Sequence, residues 1–110
     1  MAQPCPEEAV EHYREALKIE PEGVAALSNL CAALAGLNRL DEARPACERA
    51  LALDPGARDA HLNLGVILGK QGRLDEAVAQ FRAALAADPG LAAARNDLNL
   101  ALRLQAAKNK

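Results

Sequence analysis

The chain repeats itself with a period of 34 residues. The tetrapeptide Leu-Asp-Glu-Ala begins at Leu40 and again at Leu74, and the similar segments 50–55 and 84–89 have the same spacing. The frame also continues 34 residues before the first copy, where Glu8 precedes Ala9 as Glu42 precedes Ala43. A fixed period in this range is typical of stacked structural units. The sequence therefore predicts an array of short repeats rather than one globule.

The repeated units are predicted to be helical. Ala and Leu dominate, Tyr13 and Phe81 are the only aromatic residues, and strong helix formers fill nearly every segment. Pro and Gly punctuate the pattern where helices should end. Turns of a few residues force neighbouring helices to be antiparallel. We expect an all-α chain of about six antiparallel helices, over 6–20, 24–36, 40–53, 58–70, 74–87 and 91–106.

Residues of one size recur at fixed positions of the repeat. One column is small, with Ala9, Ala43 and Ala77, and a second small column holds Ala16, Ala50 and Ala84; these are expected at close helix–helix contacts. A bulkier column between them holds Tyr13, Cys47 and Phe81, which are expected in the core.

Pro45 breaks the local rule because it falls about five residues into its helix, where it removes a backbone hydrogen bond. It predicts a kink or a late helix start between Asp41 and Arg44.

The three cysteines are Cys5, Cys31 and Cys47. An odd count with no close pair argues against a disulfide framework and against a zinc site. Cys31 and Cys47 fall at small or apolar positions of the repeat and are expected to be buried as small hydrophobic residues. Cys5 lies beside two prolines and is expected to be exposed.

Composition and charge exclude several classes of function. A formal net charge of −2 implies no general affinity for nucleic acid or membranes. No apolar run approaches the roughly 20 residues of a membrane span. Residues 1–7 have neither the basic region nor the apolar core of a signal peptide, so a cytoplasmic location is expected. His12 and His61 fall on different helices, and no nucleophile arrangement or Gly-rich phosphate loop is present, so neither catalysis nor a cofactor is expected.

The pattern Asn63-Leu64-Gly65, Gly72, Ala77, Phe81, Ala84 and Pro89 resembles the tetratricopeptide repeat (TPR), a 34-residue helix–turn–helix unit. The other full unit departs from it mildly, with Cys31 in place of a small Gly or Ala and Asn38 in place of the turn Gly. The resemblance covers nearly the whole chain and implies a single domain, 1–110. We divide it into the second helix of a partial repeat (6–23), two full repeats (24–57 and 58–91) and a C-terminal capping helix (92–107).

The resemblance implies a right-handed superhelix whose first helices line a concave groove, and a non-enzymatic scaffold that binds a protein or peptide segment.

An amide can donate and accept at once, so Asn29 and Asn63 are candidates for gripping a peptide backbone. Family members that grip a C-terminal carboxylate use basic residues where this chain has Ala25, Asp59 and Asp97, which argues against an anionic tail. The groove instead suits a segment that is apolar or carries Lys or Arg. The candidate groove residues are Asn29, Ala32, Asp59, Leu62, Asn63, Val66, Lys70, Asp97, Leu100, Arg103 and Leu104.

The two ends of the array differ. Arg95 and Asn99 give the last helix a polar outer face, as a terminal cap requires. The first helix lacks a partner, which would leave Ala9, Tyr13 and Ala16 partly bare. Either the chain is a piece of a longer array, or this face mediates self-association into a homo-oligomer. Residues 7–22 carry six acids and two bases while residues 95–110 carry four bases and one acid, which favours head-to-tail stacking; a symmetric contact through the first helix is the alternative.

Overall fold

The computed structural model describes residues 6–108, which form six α-helices and no strand. The helices are α1 (Pro6–Ile19), α2 (Val24–Gly36), α3 (Leu40–Leu53), α4 (Arg58–Lys70), α5 (Leu74–Ala87) and α6 (Ala92–Lys108). Their number and class confirm the prediction, and four of the six have the bounds expected from sequence. The expectation that Cys5 is exposed lies outside the described residues.

The turns α2–α3 and α4–α5 have the same geometry. Asn38 and Gly72 adopt positive φ angles of 61° and 78° at the end of the preceding helix. After each, the amide of Arg39 or Arg73 donates to a carbonyl five residues back, Leu34 O or Leu68 O, at 2.9 Å. This closes the helix end with a left-handed residue, which Gly adopts freely and Asn tolerates. Asn38 can therefore replace the glycine of the repeat.

The turns α3–α4 and α5–α6 use a different device. In each Asp-Pro-Gly segment the carboxylate of the aspartate accepts the amide of the glycine two residues later, at 3.1 Å, in the pairs Asp54–Gly56 and Asp88–Gly90. Asp and Asn favour turns for this reason. Arg58 Nη1 also donates to Asp88 Oδ2 at 2.8 Å, so the two equivalent turns of neighbouring repeats are linked.

The helices stack with a definite curvature. Each helix packs on its sequence neighbours, and α4 also contacts both α2 and α6. Across residues 6–108, α3 contacts neither α1 nor α5. Because α2, α4 and α6 approach one another while α1, α3 and α5 diverge, the first set lies on the inner side of the curve. The molecule is elongated, 48 × 28 × 27 Å, and its concave surface belongs to α2, α4 and α6.

The repeated small residues set the spacing between helices. Ala43, Ala50, Ala77 and Ala84 have no exposed surface. Small side chains there let the helix axes approach closely, and larger apolar residues such as Leu34 and Ile67 fill the space between. Phe81 is buried and Tyr13 is half-buried against the same core, so both are packing residues as expected.

The predicted late start of the Pro45 helix is wrong. Helix α3 begins at Leu40 and contains Pro45 without interruption. Both Pro45 and Asp41, whose carbonyl would otherwise accept the missing amide, lie on the exposed side of the helix. Water can therefore satisfy that carbonyl, which lowers the cost of the proline.

The expectation against a disulfide is also wrong. Cys31 on α2 and Cys47 on α3 are fully buried and bonded to each other, with their Cα atoms 5.5 Å apart. The equivalent residues 34 positions later are Gly65 and Phe81, where a Cβ on Gly65 would lie 2.5 Å from Phe81 Cε1. The same intra-repeat contact is thus made by a glycine under an aromatic ring in one repeat and by a covalent bond in the other.

We expect the Cys31–Cys47 disulfide to stabilise the fold by about 3 kcal/mol, the chain-entropy value for a closed loop of about 15 residues; the two cysteines are 16 residues apart. Urea unfolding followed by circular dichroism should show this loss on reduction. Cys31→Ala with Cys47→Ala should unfold like the reduced protein and respond no further to reductant.

The control for this experiment is Cys5→Ser, which removes the third thiol and should keep the full response to reductant. Equal unfolding midpoints for the oxidised and reduced wild-type protein would contradict the stabilising role.

Candidate functional site on the concave surface

The concave surface contains two hollows, one at each junction of its helices. The first, of about 570 Å³, lies between the N-terminal halves of α2 and α4. It brings together Asn29 and Asp59, which the sequence predicts as groove residues. Asp59 is not an isolated charge there, because Arg58 Nε lies 3.1 Å from its Oδ1. The full lining is Val24, Ala25, Ser28, Asn29, Asp54, Gly56, Ala57, Arg58 and Asp59.

Two polar side chains of α4 attach it to α2. Asn63 Nδ2 donates to the Ser28 carbonyl at 3.0 Å, and Lys70 Nζ donates to the Ala35 carbonyl at 3.3 Å. Both bonds join residues 35 positions apart, so they repeat the same step along the two helices. Asn63 and Lys70 therefore fasten α4 to α2 beyond the first hollow, towards the C-terminal ends of the two helices.

The second hollow, of about 290 Å³, lies between α4 and α6 and is mainly apolar. Its walls include the exposed edges of Leu100 and Leu104, which are 50% and 47% accessible. Phe81 of α5 also contributes to it. The full lining is Gly65, Val66, Gly69, Lys70, Phe81, Asp97, Leu100, Ala101 and Leu104.

At the α4–α6 junction, α6 lacks the two polar side chains that bond α4 to α2 at the preceding junction. The residue equivalent to Asn63 is Asp97, and the residue equivalent to Lys70 is Leu104. An ionised carboxylate can only accept, and leucine has no polar atom, so neither can donate to a carbonyl of α4. Asp97 and Leu104 remain in the groove as part of the hollow.

Asp97 is the electrostatically unusual residue of the groove. It is half-buried, and burial raises the pKa of its carboxyl above the ordinary value, because desolvation disfavours the charged form. Within the described part of the chain no hydrogen bond or ion pair involves its side chain. Lys70 lines the same hollow without forming an ion pair with it.

The predicted groove residues are divided by the structure. Asn29 and Asp59 lie in the first hollow, and Val66, Lys70, Asp97, Leu100 and Leu104 lie in the second. Asn63 lines neither hollow and stands on α4 between the residues that line the first and those that line the second. Ala32, Leu62 and Arg103 are accessible to solvent but line neither hollow. Sequence reasoning missed Arg58, Gly69 and Phe81; the signal for Gly69 was a second glycine four residues after Gly65 on the helix assigned to the groove.

The outer face of α1 carries the residues predicted for self-association. Ala9 and Tyr13 are half-buried and Ala16 is exposed, whereas their equivalents in α3 and α5 are buried. Shallow hollows on this face are lined by Glu8, His12 and Tyr13 together with neighbouring acids. This helix therefore has an incompletely covered face that is both apolar and acidic.

Other types of site find no support in the described residues. Over 6–108, no cluster of His, Cys, Asp and Glu side chains has an arrangement that would hold a metal ion. Among the helices of this range, none has the length and apolar character of a membrane span. The conspicuous surface of the described molecule is the concave groove.

Comparison with known proteins agrees with a helical-repeat interaction module. A family model described as tetratricopeptide repeat matches residues 6–58 and 32–92, and the chain therefore belongs to that family. A search of curated proteins found no significant sequence match. The TPR family is an all-α solenoid, as observed here, and is typically a non-enzymatic module for protein interaction.

Solved TPR domains superpose closely on this chain. The Arabidopsis OM64 TPR domain is 28% identical with a TM-score of 0.85, over 89% of this chain and 81% of that one. The second TPR domain of human RPAP3, solved with the HSP70 peptide SGPTIEEVD, is 25% identical with a TM-score of 0.80, over 87% and 80% of the two chains. The Sgt2 TPR domain from Aspergillus fumigatus has a TM-score of 0.90 at 24% identity, over 94% and 70%, and shows the fold alone.

We predict that Asp97→Asn stabilises the protein at neutral pH. The amide removes a desolvated charge and supplies a donor that can reach the Leu62 carbonyl, 35 residues back, as Asn63 reaches Ser28. A hydrogen bond of this kind contributes about 0.5–1.5 kcal/mol. Urea unfolding at pH 7 should therefore show a higher midpoint for Asp97→Asn.

The pH dependence tests the cause of this effect. Because burial raises the folded-state pKa of Asp97 above its unfolded value, the ionised carboxyl costs stability above the unfolded pKa, near pH 4. That cost disappears at lower pH, where the carboxyl is protonated in both states. The advantage of Asp97→Asn should therefore shrink below about pH 4, and a pH-independent difference would contradict the electrostatic explanation.

Proposed function

We propose that this protein is a non-enzymatic scaffold that binds an extended segment of a partner protein in the concave groove of α2, α4 and α6. The observation that carries the proposal is the presence of two hollows along the concave helices, one between α2 and α4 and one between α4 and α6. An extended peptide crossing the inner helices would meet a hollow with charged and apolar walls first and a mainly apolar one second.

Asn29 is the clearest candidate for contact with a peptide backbone. It is exposed at the edge of the first hollow, and no hydrogen bond or ion pair in the range 6–108 involves its side chain. Asn63 uses one amide hydrogen on Ser28, which leaves its oxygen and its second hydrogen for a ligand. Together the two amides can hold a peptide without depending on its side chains.

The charge of the groove argues for a ligand unlike the acidic tail bound by one of its structural neighbours. The second RPAP3 domain was solved with a peptide that ends in EEVD. In the present groove Asp59 and Asp97 line the two hollows; Arg58 pairs with Asp59, but Asp97 has no ion-pair partner among the described residues, so an anionic terminus would be repelled there. An apolar segment, or one that carries Lys or Arg, is the better match.

We expect Asn29→Ala to weaken peptide binding about three- to tenfold without loss of stability, because a net neutral hydrogen bond contributes about 0.5–1.5 kcal/mol. The probe is a peptide selected from phage-displayed random 12-mers against the wild-type protein, with affinity measured by calorimetry. Asn63→Ala should weaken both binding and folding, since it also removes the bond to Ser28.

The matched control is Asn99→Ala, the same change at an exposed residue of α6 that lines neither hollow. It should leave affinity unchanged. A selected peptide that binds wild type and Asn29→Ala equally would overturn the role of Asn29, and failure to select any groove-binding peptide would count against the function itself.

A second candidate function is self-assembly through α1, favoured by the exposure of Ala9, Tyr13 and Ala16 relative to their buried equivalents. A head-to-tail stack in the geometry of the repeat would place Asn99 against Tyr13. The equivalent pair is Gly65 and Phe81, where not even a Cβ fits without displacement of the ring. The structure thus favours a symmetric contact between α1 helices or pairing with a different helix.

Light scattering after size-exclusion chromatography, over a concentration series, tests this alternative. Self-assembly through α1 requires an apparent mass that rises with concentration. Tyr13→Glu should abolish the rise by placing a charge on the apolar face. A strict monomer at high concentration would exclude the alternative.

A cytoplasmic location stays a proposal. The Cys31–Cys47 bond argues against this location, because disulfides persist mainly in oxidising compartments. Full burial shields this bond from direct attack by a reducing thiol, since exchange requires access to a sulfur.

A further inference from the structure

We propose that the α4–α6 hollow is the anchoring subsite of the groove, and that it takes one aliphatic side chain (leucine, isoleucine or methionine) from a segment in which a lysine or arginine stands beside it. This inference rests on the proposed function, because it assigns ligand chemistry to one part of the same groove. The α2–α4 hollow and the two asparagines, Asn29 and Asn63, then orient the rest of the segment.

The size and lining of the hollow match an apolar side chain. Its volume of about 290 Å³ lies just below the range for small-molecule pockets, about 300–1,000 Å³, which suits a side chain better than a whole ligand. Val66, Leu100 and Leu104 supply an apolar wall. The two leucines are about half accessible, so an inserted side chain would cover apolar surface that now faces water.

Gly69 keeps the hollow open. A Cβ built on it meets no atom within 4 Å, and the residue lines the hollow directly. Its equivalent in α2 is Ala35, which is buried and whose carbonyl accepts the Lys70 ammonium. At the α4–α6 junction the equivalent residues are Gly69, which has no side chain, and Leu104, which lines the hollow and cannot donate to the Gly69 carbonyl.

The charge beside the hollow selects a cation. Asp59 in the first hollow is already paired with Arg58, whereas the half-buried Asp97 carboxylate has no ion-pair partner among the described residues. Lys70, the cation nearest along the lining, donates to the Ala35 carbonyl instead. A lysine or arginine adjacent to the inserted side chain would pair with Asp97, while an acidic residue there would be repelled.

The test uses four pools of fluorescein-labelled, acetyl- and amide-capped nonapeptides, with six degenerate positions around a central Lys-Leu-Lys, Gln-Leu-Gln, Lys-Ser-Lys or Glu-Leu-Glu. Binding is measured by fluorescence anisotropy. We expect Lys-Leu-Lys to bind about tenfold more tightly than Lys-Ser-Lys, from burial of the leucine. It should bind about fivefold more tightly than Gln-Leu-Gln, from the ion pair with Asp97, and Glu-Leu-Glu should bind most weakly among the Leu pools.

Two variants separate the apolar and the charged contributions. Asp97→Asn should bind Lys-Leu-Lys and Gln-Leu-Gln equally and keep the preference for Leu over Ser. Gly69→Leu should fill the hollow and lose the preference for Leu; circular dichroism and urea unfolding verify that it folds. Its matched control is Gly36→Leu, at the exposed last residue of α2, where an added Cβ also meets nothing within 4 Å; this variant should behave like wild type.

The outcomes distinguish the subsite from the groove. Binding of the pools with no preference for Leu over Ser, or with Gly69→Leu unaffected, would overturn the subsite and leave the groove function standing. A preference for Leu without one for Lys would overturn the role of Asp97. Absence of binding by every pool would overturn the inference together with the proposed function.

Discussion

The contact between the two helices of one repeat fixes the geometry on which the rest of the structure depends. In the repeat of α4 and α5, the Phe81 ring lies so close to Gly65 that a Cβ would lie within 2.5 Å of it. In the repeat of α2 and α3, a disulfide joins the same two positions. Because both solutions hold the helices close together, every first helix can lie on the same side and form one concave surface.

The junctions between repeats are less constrained, and there the two halves of the groove diverge. Hydrogen bonds from Asn63 and Lys70 fasten α4 to α2. Asp97 and Leu104 occupy the equivalent positions of α6 and cannot make such bonds. Two changes of side-chain chemistry, at the positions of Asn63 and Lys70, therefore leave α6 without the hydrogen bonds that join α4 to α2, and an apolar hollow with an acidic rim lies at the equivalent place.

The 34-residue period was sufficient to predict the six helices, because propensity, turn residues and small-residue columns all agreed. The sequence also placed Asn29 and Asp59 on one surface with Val66 and Leu100. It failed at the cysteines because they were judged by their number and spacing. Superposing the repeats places Cys31 and Cys47 where Gly65 and Phe81 stand, a pair that must touch, and this comparison would have revealed the disulfide.

The division of the groove into a mixed hollow and a mainly apolar one was beyond sequence reasoning, since it depends on where long side chains end. Lys70 was predicted as a groove cation, yet its ammonium reaches back to a carbonyl of α2. Asp97 stands at the repeat position that holds Asn29 and Asn63 in the other first helices. Unlike those asparagines, its carboxylate cannot donate a hydrogen bond. Burial of side chains and the direction of donors are properties of the folded array, and no single repeat specifies them.

Asp97 illustrates why a position that weakens the fold can serve binding. An asparagine there would be able to donate to α4, as Asn63 donates to α2, and would remove a desolvated charge. The aspartate is therefore expected to cost stability in the free protein. A partner cation would supply the missing counter-charge, and the free energy lost in the unbound state would then favour the complex. Proteins retain such destabilising residues where function needs them. On the proposed function, the half-buried carboxylate next to the apolar hollow would meet its counter-charge on the ligand rather than within α6.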